Sequence, residues 1–160
     1  MTDTPAMKIA RLLTVFALSA TVLAPLALTP APAVAGGGVA ITAVYYDPGP
    51  GSDPLAQLNQ EYVVLRNNSA HAIRLTGWKL HDIARLGSTN VYRFPKFRLR
   101  PGKTVRIHTG KGSKTRTDLY WGLSYYVWGD DSDKVTLQNR AGAIIDTCTW
   151  LATGTSPKFC

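Results

Sequence analysis

The sequence is poor in the residues that mark zinc sites and long helices. It holds 3 histidines and 2 cysteines in 160 residues, and no two histidines stand at the His-x-x-x-His spacing typical of zinc ligands. After residue 36 no window has the periodicity of an amphipathic helix, apart from a short turn over residues 54–58. No internal repeat is evident either. These absences argue against a helical bundle, a repeat array and a histidine-ligated zinc enzyme.

Acidic residues are scarce as well. Lysine and arginine number 18 against 10 aspartates and glutamates, which gives a net charge of +8 at pH 7. Such a charge favours acidic partners, although an evenly spread charge would serve only solubility.

The only long apolar run lies at the N-terminus and predicts export. Lys8 and Arg11 precede an apolar stretch that ends at Leu28, and residues 33–35 read Ala-Val-Ala, the small-x-small pattern that signal peptidase prefers. We predict a signal peptide over residues 1–35, cleavage before Gly36, and one domain over residues 36–160. The alternative is a retained N-terminal membrane anchor. No cysteine follows the run to accept a lipid, so the mature chain is predicted to be secreted and to have no membrane span.

Both cysteines, Cys148 and Cys160, stand near the end of the sequence. In an oxidising compartment such a pair predicts a disulfide. The small loop that it closes would stabilise the fold by about 3 kcal/mol on the chain-entropy model.

The rest of the sequence alternates short strand patterns with turn signals. Residues 62–65 form an aromatic and β-branched run, typical of a strand buried on both faces. The next strand places Trp78, Leu80 and Asp82 on one face and Lys79 and His81 on the other. From these two strands we predict four core residues: Tyr62, Val64, Trp78 and Leu80.

Further strands are predicted over residues 39–46, 91–94, 97–99, 104–109, 134–139 and 143–150, and the register of the aromatic segment 119–128 is left open. Gly102 and Gly142 lie in the turns between some of them. Eight or nine short strands separated by turn signals indicate an all-β sandwich or barrel.

Several segments together resemble the lamin tail domain family in its exported bacterial form. They are Glu61-Tyr-Val-Val-Leu-Arg-Asn, Leu75-Thr-Gly-Trp-Lys-Leu-His-Asp, Tyr92-Arg-Phe-Pro, Leu99-Arg-Pro-Gly, His108-Thr-Gly-Lys-Gly, Asp118-Leu-Tyr-Trp-Gly and Trp128-Gly-Asp-Asp-Ser-Asp-Lys-Val-Thr-Leu. The resemblance covers residues 39–150. It implies an immunoglobulin-like β-sandwich that serves as an interaction module, with no catalytic residues to carry over and no cofactor.

A basic, glycine-bearing loop is the main candidate for binding. Lys111, Lys114 and Arg116 lie in this loop, and Lys103 and Arg106 lie just before it. A Walker phosphate loop ending at residues 114–115 would need glycines at positions 108 and 113, and neither is glycine. The loop therefore predicts weak, non-specific contact with polyanions such as DNA or anionic wall polymers. An envelope protein is the other partner considered.

An aspartate-rich turn is a candidate calcium site. Asp130, Asp131 and Asp133 offer oxygen ligands, but the segment lacks the glycine and the closing glutamate of an EF-hand loop. The alternative is that these aspartates only form the turn before the next strand.

Two classes of function follow from these residues. The first is a secreted, non-catalytic binding or structural module. The second is a small exported hydrolase, acting on phosphodiesters or glycans, whose carboxylates would be Glu61, Asp82 or Asp130. His81 and His108 are predicted to point outward and to be solvated.

Overall fold

The computed structural model describes residues 38–46, 54–82, 90–151 and 156–160. By their internal contacts the residues divide into two units, Met1–Ala33 and Val34–Cys160, and all described residues belong to the second. The predicted signal peptide lies outside the described residues. No helix in the described ranges is long and apolar enough to cross a membrane.

The described part of the chain contains eleven strands and one short helix. In chain order they are β1 (Val39–Tyr45), α1 (Pro54–Leu58), β2 (Tyr62–Asn67), β3 (Ile73–Arg74), β4 (Lys79–Asp82), β5 (Val91–Arg93), β6 (Arg98–Leu99), β7 (Thr104–His108), β8 (Asp118–Tyr120), β9 (Asp133–Gln138), β10 (Ile144–Trp150) and β11 (Lys158–Phe159).

These strands form an immunoglobulin-like β-sandwich. One sheet has the order β11-β1-β2-β7-β8, the other has the order β10-β9-β4-β5, and β3 pairs with β6 in a two-stranded ribbon. The pairs are antiparallel except β7–β8, which is parallel. Residues from both large sheets make up one buried core, as expected for two sheets packed face to face. The predicted fold class is confirmed.

The central strand β2 is buried on one face only. Val63 and Leu65 are fully buried, whereas Tyr62 and Val64 are half-buried on the opposite face. The prediction that Tyr62 and Val64 belong to the core was therefore wrong. An apolar run has the same sequence pattern whether its second face packs on a core or on neighbouring aromatic rings. Here Tyr62 stacks on Tyr45 of β1, with 4.2 Å between the ring centroids.

On β4 the predicted alternation is confirmed. Leu80 and Asp82 are buried, and Lys79 and His81 are half-buried. Trp78, just before this strand, is only partly buried and packs against the edge of the core cluster. It is a boundary residue rather than the centre of the core.

Two strands, β3 and β11, were not predicted, which is why the count exceeds the expected eight or nine. Both contain only two residues, too few for an alternating pattern to be recognised. β11 is held against β1 by backbone pairing, and Cys160, directly after β11, forms a disulfide with Cys148 of β10, with 5.9 Å between the two Cα atoms. The predicted disulfide is thus present and joins β10 to the residue after β11.

Candidate anion-binding site

A surface groove of about 800 Å³ opens between residues 96–104 and the loop 114–117. Six of its lining residues are basic: Lys96, Arg98, Arg100, Lys103, Lys114 and Arg116. The other described residues that line it are Ala72, Phe97, Leu99, Thr104, Thr115 and Thr117, so no acidic side chain of the described part of the chain lines it. We call this site the basic groove.

The first wall of the basic groove owes its charge to strand alternation. Along residues 96–100, Phe97 and Leu99 turn inward and are 8% and 1% exposed, which leaves Lys96, Arg98 and Arg100 outward. Because successive side chains of an extended segment point to opposite faces, the three cations lie in one row above an apolar floor.

Asn67 fixes this wall from behind. Its side-chain amide donates to the Leu99 carbonyl at 3.0 Å, and its backbone N–H donates to the Lys103 carbonyl at 3.0 Å. Gly102 returns a backbone hydrogen bond to the Asn67 carbonyl at 2.8 Å and adopts a positive φ of 65°, which suits glycine in this turn. The turn and the strand before it are therefore tied to the end of β2.

The second wall follows from the parallel pairing of β7 with β8. A chain that leaves the end of β7 must run back alongside the strand before it can start a parallel neighbour. Residues 109–117 make this return, which brings Thr117 beside Arg106 through a backbone hydrogen bond of 2.8 Å. The Lys114 ammonium donates to the Lys96 carbonyl at 2.6 Å and lies 5.9 Å from the centre of the Phe97 ring. The loop is thus fastened across the groove to the first wall.

Asp118, at the start of β8, holds the loop in shape. Its carboxylate accepts the hydroxyls of Thr115 and Thr117, and the Thr115 hydroxyl accepts the Asp118 backbone N–H at 2.9 Å. Burial by itself would raise the Asp118 pKa, but the hydrogen bonds from Thr117, His108 and Thr115 and the charge of Arg106 lower it below the ordinary value. The loop is therefore anchored on a carboxylate that stays ionised into the acid range.

His108 is buried behind Asp118, contrary to the expectation that it would be solvated. Only 8% of it is exposed, because its ring stacks on Tyr120 and meets Tyr62. Nδ1 contacts the Asn59 carbonyl at 2.6 Å and Nε2 contacts the Asp118 carboxylate at 3.1 Å. Both ring nitrogens are engaged with acceptor oxygens, so neither is left to act on a substrate.

The glycines of this loop serve packing rather than phosphate approach. A Cβ at Gly112 would overlap the Tyr120 ring, and one at Gly110 would collide with the Asn59 amide oxygen. The loop needs these glycines to lie flat against β8 and the turn after α1. No Walker-type geometry is involved.

Two arginines face each other beside the basic groove. Arg74 on β3 and Arg98 on β6 are direct cross-strand partners, and both are exposed. Like charges directly opposite in an antiparallel pair destabilise it. The pair borders a second cavity of about 680 Å³, which Lys96, Phe97 and Arg98 share with the basic groove. The repulsion between these two charges therefore destabilises the β3–β6 ribbon, and a bound anion would reduce that repulsion.

The structure brings together only part of the predicted loop site. Lys103, Lys114 and Arg116 line the basic groove, whereas Arg106 and Lys111 do not. Arg106 forms an ion pair with Asp118 at 3.5 Å and lies over the Tyr62 ring. Lys96, Arg98 and Arg100 were missed. The available signal was charge density, because residues 83–117 contain no acidic residue at all.

The aspartates of the proposed calcium site do not converge. Asp130 and Asp131 are exposed, but Asp133 is 2% exposed and accepts the N–H groups of Gly129 at 2.8 Å and Lys134 at 2.6 Å. No group of three or more metal-binding side chains occurs among the described residues. The segment is arranged as a turn, which was the alternative interpretation.

The carboxylates considered for hydrolysis lie outside the basic groove and the second cavity. Glu61 is fully buried and Asp82 is 2% exposed, while Asp130 is exposed on its loop. None of the three lines either of the two cavities described above.

Comparison with known families and proteins completes the description of the site. The family model described as Lamin Tail Domain matches residues 32–152. No curated protein matches the sequence.

Proposed function

The chain belongs to the lamin tail domain family, and from this premise we propose that it is an exported, non-catalytic module that binds anionic polymers in the basic groove. The family consists of non-enzymatic immunoglobulin-like domains, which agrees with a binding or structural role. The ligand class and the export are our proposal.

The observation that carries the proposal is the uncompensated charge of the basic groove. Six cations line it, and within the described ranges none of the six forms an ion pair, because the nearby Asp118 pairs with Arg106 and His108, which do not line the groove. Arginine and lysine that face one cavity without counter-charges attract a polyanion and raise its rate of association. A charge that served only solubility would not need two fixed walls and an anchored loop.

Export is supported by the sequence of residues 1–35 and by the disulfide. The segment has the basic start, apolar middle and small-residue end of a signal peptide. Disulfides such as Cys148–Cys160 persist in oxidising compartments.

A hydrolase is not favoured. A buried carboxyl with a raised pKa is a common feature of active sites, and Glu61 has one. Its Oε1 atom, however, is occupied by three donors from the protein itself, and the residue has no exposed surface. The carboxyl is placed to hold backbone and not to reach a substrate.

Salt-gradient elution from heparin and from phosphocellulose tests the proposal. The groove variant Arg98→Ala/Arg100→Ala/Arg116→Ala is expected to elute at clearly lower salt than the native protein. The matched control is Lys79→Ala/Arg93→Ala/Lys134→Ala, which removes the same charge from the four-stranded sheet β10-β9-β4-β5. It should elute at a salt concentration much closer to that of the native protein. Equal shifts for both variants would show that net charge alone is responsible.

A single-residue comparison sharpens the test. Arg116 lines the basic groove, whereas Lys111 is exposed on the same loop and does not line it. Arg116→Ala should therefore reduce retention more than Lys111→Ala. A larger effect of Lys111→Ala would show that the ligand binds at the tip of the loop and not in the basic groove.

A further inference from the structure

Building on the proposed function, we infer that the ligand of the basic groove is a single, base-free phosphodiester chain, of the poly(alditol phosphate) type. Poly(glycerol phosphate) is the simplest example. The inference rests on four features of the groove: the spacing of its cations, its two opposed walls, its lack of an exposed aromatic face and its threonine hydroxyls.

The spacing of the cations matches the repeat of such a chain. Arg98 and Arg100 are two residues apart on an extended segment, which separates them by roughly 6.7 Å along the strand. One glycerol phosphate repeat contains as many backbone bonds as two amino-acid residues, and these bonds are of similar length. An extended chain lying parallel to residues 96–100 would therefore bring one phosphate to each outward cation.

The two walls favour a single chain over a duplex. Lys96, Arg98 and Arg100 line one side, and Lys114 and Arg116 approach from the other, fastened by the hydrogen bond from Lys114 to the Lys96 carbonyl. A flexible chain can enter between them and present phosphates to both walls. A duplex carries its phosphates on the outside of a rigid cylinder, so it can touch only the cations on the rim.

The floor of the groove offers no surface for nucleobases. Phe97 is the only aromatic residue among the described residues that line it, and its ring is nearly buried and covered by Lys114. The exposed aromatic residues Tyr125, Tyr126 and Phe159 do not line the groove. Proteins that hold single-stranded nucleic acid gain affinity from each base stacked on an aromatic ring, and the described lining of the groove offers no exposed ring for such stacking.

Hydroxyl groups between the cations suit a polyol. Thr104, Thr115 and Thr117 line the groove. Thr117 donates its hydroxyl proton to Asp118, so its oxygen remains available as an acceptor, whereas the Thr115 oxygen already accepts the N–H groups of Thr117 and Asp118. The free hydroxyl of each glycerol unit can donate to such an oxygen while its phosphates meet the arginines, which bind phosphate through paired N–H donors.

Four probes of matched charge number, measured by titration calorimetry at low salt, test the inference on the purified protein. They are poly(glycerol phosphate), an abasic deoxyribose phosphate oligomer, an oligothymidylate and a DNA duplex. We expect poly(glycerol phosphate) to bind about tenfold more tightly than oligothymidylate, the abasic oligomer to bind at least as tightly as oligothymidylate, and the duplex to bind most weakly.

The groove variant Arg98→Ala/Arg100→Ala/Arg116→Ala separates this inference from the proposed function. It should make the slope of log affinity against log salt for poly(glycerol phosphate) shallower by about 2. If the variant weakens binding but oligothymidylate binds more tightly than the abasic oligomer, the protein recognises the bases. The inference of a base-free chain is then wrong, although the proposed binding of polyanions is still supported. Tightest binding of the duplex would have the same meaning. If the variant binds all four probes like the native protein, the proposed function itself fails.

Discussion

Glu61, directly before β2, and Val127 are joined by a buried hydrogen bond of 2.8 Å, from the Val127 N–H to the carboxyl oxygen Oε1. The same oxygen accepts the Thr109 hydroxyl at 2.7 Å and the Trp128 N–H at 3.3 Å, while Oε2 has no hydrogen-bond partner. Burial is the main cause that raises the Glu61 pKa to about 7, against the opposing effect of these hydrogen bonds. This carboxyl connects the segment before β9 to the centre of the five-stranded sheet.

The raised pKa predicts that stability falls as pH rises from about 4.5 to about 7. Over this range the unfolded chain releases the Glu61 proton while the folded protein retains it, so the folded state binds more protons and loses stability with increasing pH. The loss is on the order of 3 kcal/mol. Urea denaturation at a series of pH values measures it as a falling free energy of unfolding.

Glu61→Gln isolates the contribution of this group. The amide oxygen keeps the acceptor for Val127, Thr109 and Trp128 but does not ionise, so the variant should be more stable than the native protein at pH 8 and should show a flatter pH profile. Asp131→Asn, at an exposed aspartate, is the control and should retain the native slope. A native profile that is flat between pH 5 and pH 8 would contradict the prediction.

The one-sided burial of β2 predicts different costs for two adjacent valines. Val63 is fully buried, whereas Val64 is half-buried on the outer face. Val63→Ala should lower the free energy of unfolding by about 2–3 kcal/mol, from lost burial and the cavity left behind. Val64→Ala should cost less than about 1 kcal/mol. Urea unfolding of the two variants decides between them, and equal costs would restore the interpretation of a strand buried on both faces.

The fold could be predicted because its strands are separated by turn residues and most alternate cleanly. Gly102 and Gly142 lie in predicted turns and have φ angles of 65° and 88°. The pattern failed where neighbours outside the strand decide burial. His108 alternates outward in β7, yet the rings of Tyr62 and Tyr120 on the adjacent strands cover it, and strand pairing is not visible in a single sequence.

The site could be predicted only on the side that forms one continuous loop. Lys103, Lys114 and Arg116 stand out because they surround a glycine-bearing segment. The opposite wall lies in the predicted strand 97–99 and beside it, and a strand pattern alone does not mark Arg98 and Arg100 as binding residues. Their pairing with the loop depends on the parallel return from β7 to β8, a connection that local patterns do not encode.

The disulfide predicts a specific loss of stability on removal. Cys148 and Cys160 are separated by 12 positions, and closing a loop of this length in the unfolded chain stabilises the fold by about 3 kcal/mol on the chain-entropy model. Cys148→Ala/Cys160→Ala should lower the free energy of unfolding by about that amount and leave a β-type circular dichroism spectrum. Non-reducing mass spectrometry of the native protein should show a monomer without free thiols. A reducible dimer would contradict the intramolecular assignment.

Asp118 provides a test in which charge and loop order have opposite effects. Removing its carboxylate makes the protein more positive, which by charge alone would strengthen the binding of a polyanion. Asp118→Ala also deprives Thr115, Thr117, His108 and Arg106 of their common acceptor. The second wall of the basic groove then loses its anchor.

We expect the loss of order to dominate. Asp118→Ala should weaken poly(glycerol phosphate) binding about fivefold, equivalent to ~1 kcal/mol and within the range for charged hydrogen bonds. Asp131→Ala adds the same charge on an exposed turn outside the groove and should leave affinity unchanged or slightly higher. Hydrogen exchange of the 114–117 amides, faster in Asp118→Ala only, links the weaker binding to the loop. If Asp118→Ala binds as tightly as Asp131→Ala, the loop needs no anchor and the groove acts through charge alone.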